Sequence, residues 1–430
     1  MSKRNLSIRV PILARVEGEG AMDLDIRDGA IEKLQLRIYE PPRFFEKFLE
    51  GRAYHEIPDV VARICGICPV AYQVSAVNAI ESAFNMDPGP WVKAMRRLIY
   101  LGEWIESHAL HIHLLALPDF FGYQSGIAMA KDHPAEVRRG LKLQNLGNEI
   151  MRCIGARSVH PVSIKVGGLH KAPDDAKLAR LLRALEEALP EALEMCDWLA
   201  SIPLPDDQQT FNCTALKAAN YAVEDGILVS STGLNLKPEQ YDQHFTEFHQ
   251  PQSTALWSHM DGEAYLVGPL ARMNLTAQTM PAISQPVMHK FAHRFPSNNM
   301  FDSMLARGIE IVFAMQEAIS ILQGYSRPQH SFIESTPQES QGQGWSEAPR
   351  GLLWHHYELD RQGIVRKARL VPPTSQNQAR IEQDLHRSLL NFGLDNSDDD
   401  IRLHCEKVIR NYDPCISCAT HFLKLNTVRR

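Results

Sequence analysis

Two cysteine pairs near opposite ends of the chain constrain its fold more than any other feature. The first is Arg63-Ile64-Cys65-Gly66-Ile67-Cys68 and the second is Asp413-Pro414-Cys415-Ile416-Ser417-Cys418. Two intervening residues let both thiolates of a pair face one metal from a single turn. Thiolates select soft or borderline ions such as zinc, iron and nickel. Gly66 is expected to permit the tight backbone of the first turn, and Pro414 to fix the approach to the second. If one centre takes all four sulfurs, both ends of the chain meet in one core. That predicts a single domain over residues 1–430, although 430 residues could fill two or three.

Spacing alone favours a structural zinc, with two redox dithiols as the other plain interpretation. A structural zinc organises a short segment, whereas nearly the whole chain separates these pairs. Arg63, His421 and long apolar stretches flank them, which points to a buried reactive site. The remaining four of the eight cysteines, Cys153, Cys196, Cys213 and Cys405, are scattered. They form neither a disulfide scaffold nor an iron-sulfur spacing, and are expected as small buried hydrophobes.

Lys plus Arg total 45 and Asp plus Glu 51, a net charge of −6 that disfavours nucleic acid. No apolar run is long enough for a direct membrane span. Lys3 and Arg4 lack the apolar stretch of a secretory signal behind them. No Gly-x-Gly-x-x-Gly fingerprint for a nicotinamide is present. A cytoplasmic protein is expected.

The class expected is α+β, mainly helical, with a central bundle of long helices and peripheral β-hairpins and sheets. Strands are expected at Ile8–Val16, Ala21–Ile26 and Ile31–Tyr39, the last two joined by Asp28-Gly29. Phe44–Gly51 is expected as a short helix. Helical spacing covers Trp91–Leu117, ended by Pro118, then Val137–Cys153, Asp174–Ser201 with a kink or break at Pro190, and Ser303–Gly324. Gln338–Trp345 is expected as a polar loop, and Gly351–Leu370 as a hairpin turning at Arg361-Gln362-Gly363. Gln376–Phe392 and Asp400–Tyr412 are expected as helices, the latter running into the second cysteine pair. Residues 203–300 give no clear pattern.

Arg-x-Cys-Gly-x-Cys near the start and Asp-Pro-Cys-x-x-Cys-x-x-His near the end resemble the paired signature of nickel-iron hydrogenase large subunits. The likeness covers essentially the whole chain. It implies the large-subunit fold and a nickel held by all four thiolates. Two of these would also bridge to an iron carrying carbon monoxide and cyanide. By motif position Cys65 and Cys415 would be terminal nickel ligands, and Cys68 and Cys418 the bridges. Glu17, in Arg15-Val16-Glu17-Gly18, matches the residue that relays protons from a terminal cysteine. Without the motif it would be a surface carboxylate like Glu19.

Further positions carry over in the same way. Glu46, the backbone carbonyl of Leu370 and His421 match the surroundings of a magnesium or iron(II) ion near the C-terminus, a hard-cation donor set. Arg350, in Glu347-Ala348-Pro349-Arg350-Gly351, matches the arginine over the active site. Pro373 and Thr374 match residues lining the diatomic ligands, where buried anions need donors. Ser107-His108-x-x-His111 fits a family pattern, and at least one histidine is expected to satisfy core hydrogen bonds. Arg157, His160-Pro161 and Gly167-Gly168 are expected to be structural. Many relatives carry a histidine where Tyr72 stands here. A phenol can hydrogen-bond but takes up no proton near neutral pH.

The resemblance implies reversible heterolytic oxidation of dihydrogen to protons and electrons, with Glu17, Arg350 and Cys415 at the chemistry. Within the family the chain most resembles the alpha subunit of soluble NAD(P)-linked hydrogenases of the sulfhydrogenase type. Implied partners are an iron-sulfur small subunit, flavin and iron-sulfur NAD(P)-reducing subunits, nickel-insertion proteins and a maturation endopeptidase. The endopeptidase would cleave after His421 and remove Phe422–Arg430. Two rivals stand beside this: a four-cysteine zinc protein, and a dihydrogen sensor with the same centre but little turnover. A quinone-complex relative is disfavoured, because such relatives have lost the cysteines.

Overall fold

Alternating apolar residues build the first sheet. Strands β1 (Leu6–Val10), β2 (Gly20–Arg27) and β3 (Ala30–Ile38) pair antiparallel in that order, with Ile8 opposite Leu24 and Leu24 opposite Leu34. Asp28 and Gly29 turn the hairpin with positive φ, as the sequence predicts. The first strand is shorter than expected. Pro11 follows Val10 and has no N–H to offer a ladder, so residues 11–16 leave the sheet. The structure, a computed structural model, describes residues 4–420. His421 and the peptide 422–430 therefore lie outside the described residues.

A short helix, α1 (Phe45–Leu49), precedes the first cysteine pair, and α2 (Pro69–Ala83) begins directly after Cys68. The long helices are α3 (Pro90–Leu110), α4 (Pro134–Gly155), α5 (Asp175–Ser201) and α6 (Ser303–Gln323). In α3 every residue over 98–109 is buried, and in α6 every residue over 303–316. A helix buried on all sides must stand at the centre of its protein. Here α3 packs on α4 and α6, and α5 covers α6. This is the helical bundle that the sequence predicts.

Pro118 does not end the helical path, and Pro190 does not break its helix. After α3 a π-helical turn over His111–Ala116 leads into a helical turn, Leu117–Phe120. Pro118 therefore does not stop the path. It occupies the first turn of the new segment, where no backbone N–H is required. Pro190 lies inside an unbroken α5. It is exposed, so the carbonyl it leaves without a donor can be solvated. Residues 203–300 form small pieces, among them the antiparallel strands Phe245–His249 and Leu256–Met260 and a helix, Pro269–Thr276.

A second three-stranded antiparallel sheet holds β4 (Ser340–Ala348), β5 (Gly351–Leu359) and β6 (Val365–Val371) in order. The β5–β6 hairpin is the one expected. The β4 strand replaces the loop expected at Gln338–Trp345, and its glycines explain the error. A Cβ on Gly342 would lie 2.0 Å from the Ala79 carbonyl oxygen, and one on Gly344 would lie 2.4 Å from the Ala79 nitrogen. The glycines let α2 lie directly on the strand, so a composition that looks like a loop serves close packing. Gly342→Ala should lower the unfolding free energy by about 2–3 kcal/mol, the upper part of the range for overpacking. Chemical denaturation checks this, and a change below about 0.5 kcal/mol would contradict the packing account. Finally α7 (Pro373–Phe392) and α8 (Asp398–Asn411) close the fold, and α8 delivers the second cysteine pair.

Candidate metal centre

All four motif cysteines are buried within one apolar cluster, and their sulfurs lie within 4.8 Å of one another. Cys65 Sγ is 3.4 Å from Cys415 Sγ, Cys68 Sγ is 3.7 Å from Cys418 Sγ, and the Cys415 and Cys418 sulfurs are 2.7 Å apart. Backbone N–H groups of Ile67 and Cys68 donate to Cys65 Sγ, each at 3.3 Å. The thiols of Cys415, Cys418 and Cys68 donate toward Cys65 and hold it well below the ordinary thiol range. Burial pushes Cys415 and Cys418 above that range. Without a cation the cluster can carry little negative charge. Four converging thiols in a dry interior fit a thiophilic divalent metal, whose binding would release their protons. The remaining cysteines behave as expected of hydrophobes: Cys196, Cys213 and Cys405 are buried and Cys153 half-buried.

Different elements hold each pair. Glu103 on α3 accepts from the N–H groups of Val70 at 2.6 Å and Ala71 at 3.1 Å, which caps the start of α2 and seats Cys68. Arg43 Nη2 donates to the Ile64 carbonyl at 2.7 Å and also to the Ser417 carbonyl, so one guanidinium ties both pairs together. The sequence pattern singled out neither residue for this role. A glutamate within the otherwise apolar stretch Leu98–Ile105 was the available signal for Glu103. Gly66 does not play the part expected of it. Its φ is not in the left-handed region, and a Cβ there would meet nothing within 4 Å.

Glu17 reaches the centre from the N-terminal segment. Its backbone forms a parallel bridge with Cys415, through Ile416 N–H to the Glu17 carbonyl at 2.9 Å. Its Oε2 accepts from Cys415 Sγ at 3.1 Å and from Ser417 N–H at 3.0 Å. Burial, and then the nearby Cys65, raise its carboxyl above the ordinary value, against these bonds that lower it.

Arg350 is 3% exposed, not on the surface. Its Nε donates to the Asp413 carbonyl at 2.8 Å and its Nη2 to Asp413 Oδ1 at 3.1 Å. Its Nη1 is buried with no hydrogen-bond partner among the described residues. Burial opposes its charge, but Asp413, then Cys415, Cys68 and Cys65, hold it cationic. Thr374 Oγ1 accepts from Cys415 N–H at 3.0 Å and keeps its own proton to donate. Pro373 precedes it in the first turn of α7. A free guanidinium donor and a free hydroxyl proton beside buried thiols fit an anionic group bound there.

Glu46 and Leu370 also meet, since Glu46 Oε1 accepts from Leu370 N–H at 2.8 Å. The chain before His421 passes close by, with Arg43 N–H on the Thr420 carbonyl at 2.7 Å. Both histidines lie beside core polar groups, His108 in α3 and His111 at the π-helical turn. His108 Nε2 lies 2.9 Å from Glu310 Oε2, and His111 Nε2 lies 2.8 Å from the Arg410 carbonyl oxygen. Burial lowers their pKa values to about 4 and about 3, so both are neutral. Arg157 Nε donates to the His160 carbonyl at 2.6 Å, and Arg63 Nη1 is 3.3 Å from His160 Nδ1. The Tyr72 hydroxyl is buried with no hydrogen-bond partner among the described residues. Burial, followed by Cys418 and Cys68, pushes its pKa far up.

Comparison with known proteins agrees with this geometry. A family model described as nickel-dependent hydrogenase matches residues 43–139 and 219–421. Sulfhydrogenase 1 subunit alpha of Pyrococcus furiosus is 30% identical over 99% of this chain and 100% of its own. Sulfhydrogenase 2 subunit alpha of the same organism is 31% identical over 97% of this chain and 100% of its own. The crystal structure of an NAD+-reducing NiFe-hydrogenase in the H2-reduced state superposes with a TM-score of 0.87. It is 26% identical and covers 97% of this chain and 99% of its own. The four-thiol cluster fits such a metal, and the chain belongs to the nickel-dependent hydrogenase family as a large subunit.

Proposed function

We propose that the chain, as one domain over residues 1–430, catalyses the reversible oxidation of dihydrogen to two protons and two electrons. The observation that carries this is the meeting of four buried thiols with a carboxylate on one of them, Cys415 Sγ to Glu17 Oε2 at 3.1 Å. Cys65, Cys68, Cys415 and Cys418 would hold the nickel, and Cys68 and Cys418 would also hold an iron bearing carbon monoxide and cyanide. When bound, this centre supplies the polarisation that makes dihydrogen, a very weak acid, open to a base. The chain does the rest. Cys415 Sγ holds the proton first, and Glu17 takes it toward solvent. Arg350 Nη1 and the Thr374 hydroxyl would donate to the anionic ligands, and Pro373 would line them. Glu46, the Leu370 carbonyl and His421 would hold a magnesium or iron(II) ion, His421 itself lying outside the described residues.

Electrons leave through a partner, because no iron-sulfur spacing exists in this chain. Relatives named as alpha subunits support an assembly of several subunits. We infer an iron-sulfur small subunit, followed by flavin and iron-sulfur subunits that deliver electrons to NAD or NADP, as the NAD+-reducing relative suggests. No described helix is long and apolar enough to cross a membrane, and a cytoplasmic location fits such an acceptor. Removal of Phe422–Arg430 by a maturation endopeptidase, once nickel-insertion proteins have acted, completes the proposal.

An infrared spectrum of the nickel-loaded complex tests the centre. Sharp carbonyl and cyanide stretches should appear where protein absorbs almost nothing. Their absence from a preparation containing one nickel per chain would overturn the iron assignment.

A further inference from the structure

The contact between Cys415 and Glu17 joins two segments that the sequence places far apart. Both have unusual backbone at the contact. Arg15 adopts φ 62° and Asp413 φ 55°, a region that non-glycine residues avoid unless their surroundings hold them there. One buried carboxylate reaches both segments.

Asp119 lies in the helical turn Leu117–Phe120 and is 3% exposed. Its Oδ1 accepts from Arg15 Nη2 and, at 3.0 Å, from Arg410 Nη2. Its Oδ2 accepts from Arg410 Nε at 2.6 Å. Arg15 Nη1 also donates to the Leu115 carbonyl at 2.7 Å, at the π-helical turn. Arg410 Nη1 donates to Glu406 Oε2 at 2.9 Å and to the Ala14 carbonyl at 3.2 Å. Arg15 stands two residues before Glu17, and Arg410 stands five before Cys415. Arg402 Nη1 also donates to Glu406 Oε1 at 3.0 Å, so three guanidiniums share two carboxylates. Asp119 itself is buried, and its loss would leave guanidinium charge uncompensated.

We propose that Asp119 is a positioning residue for proton transfer, gripping Arg15 and Arg410 together and so setting the Cys415 Sγ to Glu17 Oε2 contact. It acts only through the two arginines. The inference rests on Glu17 being the proton acceptor. Arg15 is the direct arm, because its side chain holds the left-handed residue that swings Glu17 toward the sulfur. Arg410 is the counter-arm that fixes the end of α8.

The test uses the nickel-loaded complex with Asp119→Asn, Arg15→Gln and Glu17→Gln. Arg15→Gln leaves the Arg410–Asp119 pair whole and covers the case in which Asp119→Asn does not fold. Two readouts separate positioning from general damage. One is the ratio of solvent hydrogen–deuterium exchange to para–ortho conversion of dihydrogen, which needs cleavage but no proton transfer to solvent. The other is the infrared carboxyl band assigned to Glu17 by its loss in Glu17→Gln. Nickel content should be unchanged. The ratio should fall by about tenfold or more in Asp119→Asn and Arg15→Gln, the scale set by a small misplacement of reacting groups. The Glu17 band should shift in both, and Asp119→Glu should restore part of the ratio. An unaltered ratio and band in Arg15→Gln, with the ratio lost in Glu17→Gln, would overturn the positioning role alone. A wild-type ratio in Glu17→Gln would instead overturn Glu17 as the proton acceptor.

Discussion

Cys415→Ser should yield a folded chain that holds less than about a tenth of the normal nickel and shows no dihydrogen-dependent dye reduction, because it loses a soft thiolate donor. Cys415 joins the sulfur cluster to the carboxylate. Its Sγ lies near those of Cys65 and Cys418 and donates to Glu17. A serine hydroxyl stays protonated at neutral pH and offers a hard oxygen where a soft anion is needed. The shape is nearly conserved, and Cys415 N–H keeps its bond to Thr374. The chain should therefore lose only about 1–3 kcal/mol, the scale of burying a poorly matched hydroxyl. Elemental analysis and thermal unfolding on one sample separate the two effects. A variant with a full complement of nickel would remove Cys415 from the ligand set.

Glu17→Gln should leave nickel content and infrared bands unchanged yet slow dihydrogen oxidation by about 10²–10⁴-fold, the contribution of a positioned general base. Glutamine fits the same space and can still accept from Ser417 N–H. It cannot accept a proton from Cys415. The effect should fall on kcat, since dihydrogen itself makes no contact with this side chain in the proposal. The comparison also bears on the sensor alternative. A wild-type protein with a complete centre and no turnover would leave Glu17→Gln with nothing to lose. A rate within about twofold of wild type would show that protons leave by another route.

Much of this site was legible in the sequence because its chemistry is local. Two residues between cysteines, or a glutamate inside Arg-x-Glu-Gly, can be recognised without knowing what lies across the fold. The supports were less legible because they are defined by distance along the chain. Glu103 accepts from Val70 across 33 residues, and Arg410 meets Asp119 across 291. Nothing near Asp119 in the sequence announces a clamp. The fold divides in the same way. The bundle was visible because α3 and α6 carry long apolar stretches at helical spacing. The β4 strand was not, because Gly342 and Gly344 are there for the sake of α2. Pro118 and Pro190 misled for a related reason. A proline stops a helix only where its missing N–H or displaced carbonyl has no substitute.

The separation of 350 positions from Cys65 to Cys415 also fixes a timetable. During synthesis at about 5–20 residues per second, roughly 20–70 s pass between the emergence of the first pair and that of the second. Through that interval Cys65 and Cys68 are an incomplete dithiol, open to oxidation or to any thiophilic ion present. The newborn chain cannot select its own metal, because the selecting geometry does not exist until the last helix has docked. Loading must be a late event acting on a nearly finished body, and the early thiols need shelter until then.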